Sequence, residues 1–344
     1  MEIKAPLFLR NSWNKSILGL LQKTTLGTNG ARYQHLNTRE IIDDLDNPLF
    51  LTLERNNSVL GNVTFCKREK NWYIRYFAFD QIFQRKKSNS INNLNDSSNF
   101  KSKKIGLKST LNNFFEESLK TENDCFYAYI DPKNLRSKFM CENFGFQSIG
   151  KLITHSFSRL YPKSAANIEE IVDINEIGNI NLKFENHLFY TNFHPKRTNI
   201  YALKNERGEI ICSARIQKAH WRIESLPGKF GKTWVKIIPF IPILNKLLNP
   251  KDYRFLVTDM VFCKDNNPDY LSTFFEGILA QENYKLMLWW IDEKDKLNDL
   301  QKKISWGIFK QFLGNPMVDV VTKFDESKKI DFEKTIFVSG IDLI

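Results

Sequence analysis

The most compact apolar run in the chain is Cys125-Phe-Tyr-Ala-Tyr-Ile130, and it reads as a buried strand. Asp131-Pro132 then opens a helix over 133–143, which closes on Gly145-Phe146. Upstream, Phe50–Glu54 and Val59–Lys67 alternate as strands. The turn residues Arg55-Asn-Asn-Ser58 join them into a hairpin. Trp72–Phe79 is a third strand, so 50–80 is expected to be an antiparallel meander. Leu107, Leu111, Phe114 and Phe115 fall on one face of a helix, Leu107–Leu119. Ile17, Leu20 and Leu21 predict a helix after Asn14, and Thr38-Arg-Glu-Ile-Ile42 predicts another with Asn37 as its cap. Residues 146–160 close the set as one or two strands.

The same order returns after Tyr161-Pro-Lys-Ser-Ala-Ala-Asn167, a linker-like stretch. Asn179–Asn186 precedes a hairpin of Ile200–Leu203 and Ile210–Gln217. Tyr253–Phe262 matches the third strand, and Tyr270–Gln281 matches the helix at 107–119. Lys285–Ile291 and Glu293–Trp306 match the next strand and helix, and 308–323 and 335–343 are expected to close the sheet. The repeat is one of architecture rather than of sequence. The fold class is therefore α/β, a mixed and mostly antiparallel sheet flanked by helices, with two similar domains in tandem at 1–162 and 163–344.

Two segments interrupt the pattern. Residues 84–104 are rich in Asn, Ser and Lys and are expected to form a flexible basic insertion. Leu226–Leu248 is apolar with interleaved lysines. Pro239 and Pro242 break any long helix there. The segment is expected to pack on the other domain or on a second subunit of a homodimer, with a membrane-surface segment as the alternative.

The chain has 344 residues, 42% of them hydrophobic and 26% charged, which suits a globular protein with a sizeable core. Charge changes the picture, because it is uneven. Residues 1–163 carry 25 Lys/Arg against 15 Asp/Glu, a balance of +10, whereas 164–344 carry 25 against 24, a balance of +1. The first half thus suits an anionic ligand. No apolar stretch reaches the roughly eighteen residues of a membrane-crossing helix. The N-terminus lacks the basic-then-apolar layout of a signal peptide. Five scattered cysteines without a Cys-x-x-Cys point to reduced thiols in the cytoplasm. The histidines at 35, 155, 187, 194 and 220 share no metal-ligand spacing, so no metal is expected.

The order hairpin, strand, basic stretch with Gly106, helix, strand and a helix with Asn134, Ser137 and Gly145-Phe146 resembles the GNAT superfamily of acyl-CoA-dependent N-acyltransferases. The resemblance covers about 38–160 and implies a CoA site in the first half, with a degenerate GNAT-like repeat in the second. It places the CoA pyrophosphate at Lys101, Lys103, Lys104, Ile105, Gly106, Leu107 and Lys108, with Lys104 standing where a Gly is usual. Small residues and helix N–H groups favour such an anion. Phe77 and Phe79 on the third strand, and Asn134 and Ser137 on the last helix, complete the cofactor-binding set that the family implies. Asp80 and Glu54 are the candidate bases. Cys141 holds the position where many members carry a Tyr that protonates the leaving thiolate. The implied reaction is direct acetyl transfer from acetyl-CoA to an amine acceptor of unknown identity. Two alternatives stand beside it: a non-catalytic tandem binding protein, and an aminoacyl-tRNA-dependent peptidyltransferase. Nucleic acid is the less expected partner, because the CoA-like signature lies in the first half.

Overall fold

The structure, a computed structural model, describes residues 6–27, 30–56, 58–80, 101–121 and 124–344. The first part of the basic insertion, 84–100, lies outside the described residues.

The first half builds β1 (Leu7–Arg10), α1 (Lys15–Lys23), β2 (Arg32–His35), α2 (Thr38–Asp43), β3 (Leu49–Arg55), β4 (Ser58–Arg68), β5 (Asn71–Phe79), α3 (Lys101–Leu119), β6 (Cys125–Ile130), α4 (Leu135–Asn143) and β7 (Gln147–Ser158). Asn14 caps α1 by accepting from Ile17 N at 2.9 Å. Asn37 makes no such bond; Thr38 Oγ1 instead donates to His35 O at 2.9 Å. Helix α3 begins at Lys101, so residues 101–106 are helical rather than a loop leading into a helix at 107.

The second half builds β8 (Ile168–Glu170), α5 (Ile174–Asn181), β9 (Thr198–Lys204), β10 (Ile210–Ser225), α6 (Gly231–Ile237), α7 (Pro242–Leu247), β11 (Tyr253–Cys263), α8 (Pro268–Gln281), β12 (Leu286–Asp292), α9 (Ile308–Leu313) and β13 (Met317–Phe324). The helix expected over 293–306 is a 3-10 helix over Lys296–Lys302, capped by Asp295. Residues 335–343 do not form a strand. They make a single parallel bridge, Leu188 to Ile336, and then a 3-10 turn over Gly340–Leu343.

The described strands join in one sheet of order β1-β3-β4-β5-β6-β13-β7-β12-β11-β10-β9-β8, with β2 paired to β10. Pairing does not divide at 162. Strand β7 pairs with β12, and β13 inserts between β6 and β7. Each half thus lends its closing strand to the other. The pairing of β2 with β10 makes a further crossing.

Both halves repeat one local device. Strands β5 and β6 pair in parallel only from Asn71 to Tyr73 and from Cys125 to Tyr127, and then separate. Strands β11 and β12 do the same after Thr258 and Trp289. One face of the first fork is packed by Phe114 and Phe115 of α3 against Phe65 and Phe126, with Phe146, just after α4, completing the cluster. Helix α8 packs the second through Leu271, Phe274, Phe275 and Ile278. The segment after β10 turns its inner side into a cluster with Phe255, Tyr253 and Ile41 of α2. Among the described residues no helix is long and apolar enough to cross a membrane.

Candidate active site

The fork between β5 and β6 has a bulge at its mouth. Across β4 and β5, Thr64 pairs with Tyr76 and Phe65 with Ile74, which leaves Arg75 as the extra residue. The Arg75 side chain is only 2% exposed, yet the residue as a whole is half-buried. Its accessible atoms are therefore main-chain atoms, at the point where β5 leaves β6.

Chain direction brings two helix starts to the open end of this fork. The strands pair at their N-terminal ends, so α3, returning to β6, has its N-terminus at the open end. Helix α4 follows directly from the far end of β6. Both N-termini carry partial positive charge. Asn134 caps α4, accepting from Ser137 N at 3.1 Å. The helix stops through two reverse bonds, Phe146 N to Cys141 O at 3.0 Å and Gly145 N to Glu142 O at 2.9 Å, with Gly145 at φ 79°. Asn134, Ser137 and Gly145-Phe146 therefore fix where the helix begins and ends.

The other candidate residues are placed as follows. Phe77 and Phe79 lie on β5 beyond the bulge, with ring centroids 5.6 Å apart. Asp80 follows them, its N–H donating to Leu60 O at 2.9 Å. Lys101, Lys103, Lys104, Ile105, Gly106, Leu107 and Lys108 form the first turns of α3. Residues around Gly106 are thus helical and do not form a loop. Glu54 is not brought to the fork: β4 lies between its strand and β5, and Arg10 grips its carboxylate at 2.9 and 3.0 Å. Cys141 packs against the aromatic cluster under α3. Burial pushes its thiol up to about 12, with Glu142 adding to the effect. It is a weaker acid there than an ordinary thiol.

The chain between Thr335 and Ile344 crosses both forks, and residues 336–344 are all buried. Arg68 Nη2 donates to Asp342 Oδ1 at 2.8 Å, and Tyr73 Oη donates to Asp342 O at 3.1 Å. Arg75 Nη1 donates to Ile341 O. On the other side, Arg215 grips Asp259 with two bonds of 2.7 Å, and Asp259 accepts from Gly340 N. The second bulge sits here, with Met260 at φ 51°. These buried charges escaped the sequence reading. The available signal was an isolated Arg or Asp inside an apolar strand, in Tyr-Ile-Arg75-Tyr, Ala-Arg215-Ile and Thr-Asp259-Met.

Beside this crossing lies a cavity of about 370 Å³ between α2 and β10. Asn37, Glu40, Asp44, Arg197, Gln217 and Ile341 line it, so its wall includes the residue whose carbonyl Arg75 holds. Burial raises the pKa of Asp44, against the pull of Arg197 at 3.6 Å. Deeper in, His35 stacks with Trp221 at 5.7 Å and lies 3.4 Å from Tyr76 Oη through Nδ1. Burial, with Arg75 second, lowers the His35 pKa to about 3, which keeps the ring neutral. In the second half Asn267 accepts from Asp269 N at 2.9 Å, so an acidic first turn closes the start of α8 to anions.

Among the described residues no cluster of His, Cys, Asp and Glu could hold a metal ion.

No family model matches the chain, and no curated protein matches it. Solved structures do. N-myristoyltransferase from Saccharomyces cerevisiae, with bound myristoyl-CoA, is similar over 98% of this chain and 90% of that one, with a TM-score of 0.56 and 9% identity. A tandem GNAT protein from the clavulanic acid biosynthesis pathway, solved without acetyl-CoA, is similar over 94% and 100%, with a TM-score of 0.51 and 9% identity. Likeness at such identity establishes fold: the chain has the GNAT fold, arranged in tandem.

Proposed function

We propose that this protein is an acyl-CoA-dependent N-acyltransferase, with the donor held in the first-half fork and the acceptor amine entering through the 370 Å³ cavity. The observation that carries this reading is the bulge at Arg75, which exposes main chain at the mouth of the fork. N–H groups at such a bulge polarise a thioester carbonyl and stabilise the oxyanion that forms from it. The pyrophosphate lies at the start of α3, among Lys101, Lys103 and Lys104, with α4 and its Asn134–Ser137 cap closing the other side.

The amine nitrogen attacks the carbonyl carbon, the C–N bond forms, and the C–S bond breaks. The amine proton leaves through a cavity carboxylate or through water, with Asp80 the remaining candidate from the strand itself. The thiolate takes its proton from solvent, since Cys141 is too weak an acid. Residues 1–162 hold the donor, and the acceptor cavity is lined from both halves, with α2 on one side and β10 on the other.

The proteins of similar fold include one with bound myristoyl-CoA, so acyl length is open to test alongside acetyl transfer. Calorimetric titration with acetyl-CoA and with myristoyl-CoA at low salt decides it. Binding of either, followed by amine-dependent thiol release, supports the reading. Binding of neither overturns it.

A further inference from the structure

Leu226–Leu248 builds a surface that acyl transfer does not use. Helix α6 turns Gly231 and Val235 inward, and Ile238 continues that stripe. Gly231 is pressed against the preceding loop, since a Cβ there would stand 1.8 Å from Leu226 O. Phe230, Trp234 and Ile237 recur at the same spacing one residue earlier, and they are exposed. Phe240, in the 3-10 turn Ile238–Phe240, is 84% exposed, and Ile243 on α7 is exposed as well. Apolar side chains gathered in this way on a folded surface mark an interaction site.

Charge decides the partner. From Ser225 to Lys251 the chain carries Lys229, Lys232, Lys236, Lys246 and Lys251 and no Asp or Glu. All of these lysines are exposed. A second copy meeting this face about a two-fold axis would set the same lysines against one another. An anionic bilayer meets both requirements: acyl chains for the aromatic tips and phosphates for the lysines. Tyr161 is exposed beside the patch, its hydroxyl 3.1 Å from Lys246 Nζ, and adds a second interfacial aromatic.

We propose that Phe230–Lys246 is a membrane-surface patch that docks the protein peripherally on anionic lipid. Phe230, Trp234, Ile237, Phe240 and Ile243 enter the headgroup boundary, and the lysines hold lipid phosphates. None of these residues is among those placed at the fork or lining the cavity, so acyl-CoA binding is expected to persist without them.

Co-sedimentation of the full chain with vesicles tests this. Vesicles of phosphatidylcholine with about one-third phosphatidylglycerol should bind the protein at low salt, and binding should fall steeply with added salt. Pure phosphatidylcholine should bind it far less. The double variant Trp234→Ser/Phe240→Ser should lose at least about tenfold in partitioning. Its melting curve and acyl-CoA titration should match the parent, because both side chains are exposed. Lys232→Glu/Lys236→Glu should lose binding to the anionic vesicles alone. No sedimentation with anionic vesicles at low salt would overturn the proposal. So would partitioning that the double variant leaves unchanged. A concentration-dependent dimer that Phe240→Ser dissolves, without vesicle binding, would assign the face to a second copy instead.

Discussion

Arg68 on β4 and Asp342 near the end of the described chain meet at 2.8 Å, with both side chains about 1% exposed. Burial is the largest influence and works against the Arg68 charge, but Asp342, Cys66 and Tyr127 together outweigh it and the guanidinium pKa rises. A buried pair of this kind is held by both partners and tolerates the loss of neither. Asp342→Asn should therefore cost about 3–5 kcal/mol, because it strands the guanidinium. Urea unfolding measures the loss. A matched apolar pair, Arg68→Met with Asp342→Leu, should recover only part of it, because the buried Arg75 guanidinium, 3.9 Å from Asp342, loses its carboxylate.

His35 predicts acid sensitivity. Its pKa in the folded protein is lowered to about 3, whereas an unfolded histidine titrates near its ordinary value. The stability it contributes is present above that ordinary value. It is lost as pH falls, because only the unfolded state takes up the proton. By pH 4 the loss attributable to this ring should be about 3 kcal/mol. His35→Phe should flatten the corresponding part of the stability curve between pH 7 and pH 4. Parallel curves for parent and variant would refute the assignment.

Gly61 guards the mouth of the fork. A Cβ there would lie 2.8 Å and 2.9 Å from two ring atoms of Phe79. Gly61→Ala should push that ring aside, cost about 1–2 kcal/mol of stability and weaken acyl-CoA binding severalfold. Unaltered affinity in a destabilised variant would remove Phe79 from the donor site.

The two ends of α4 predict helix effects of similar size. Asn134→Ala removes a cap and Gly145→Ala places a side chain at φ 79°. Each should lower stability by about 1 kcal/mol. Asn134→Ser, a cap of comparable strength, should keep most of it. If Asn134 also touches the donor, acyl-CoA affinity will fall in both Asn134 variants beyond what the melting curves explain.

Local structure was largely legible. The hairpin of β3 and β4, the strands at 71–79 and 125–130, and the repeated order of elements in the second half follow from alternation, turn residues and caps. The exchange of β7 and β13 was not, because each strand carries the same alternating pattern whichever partner it takes. Pairings so distant in sequence leave no trace in local periodicity. Strand β2 was hidden for a related reason. Arg32-Tyr-Gln-His35 has little apolar alternation, and it is a strand only because β10 offers it an edge. The buried Arg68, Arg75, Arg215 and Asp259 looked like ordinary strand charges, since their partners lie far along the chain. The start of α3 was misjudged because a lysine-rich stretch reads as solvent loop.

The exchange of closing strands also sets the order in which the protein can be made. When β6 leaves the ribosome, the strand that will lie beside it, Met317–Phe324, has yet to be synthesised. The middle of the sheet is thus completed after its first wing. Until β13 arrives, β6 and β7 each present an open, apolar edge to whatever is nearby. That exposure makes nascent chains and truncations ending near 162 natural clients for chaperones.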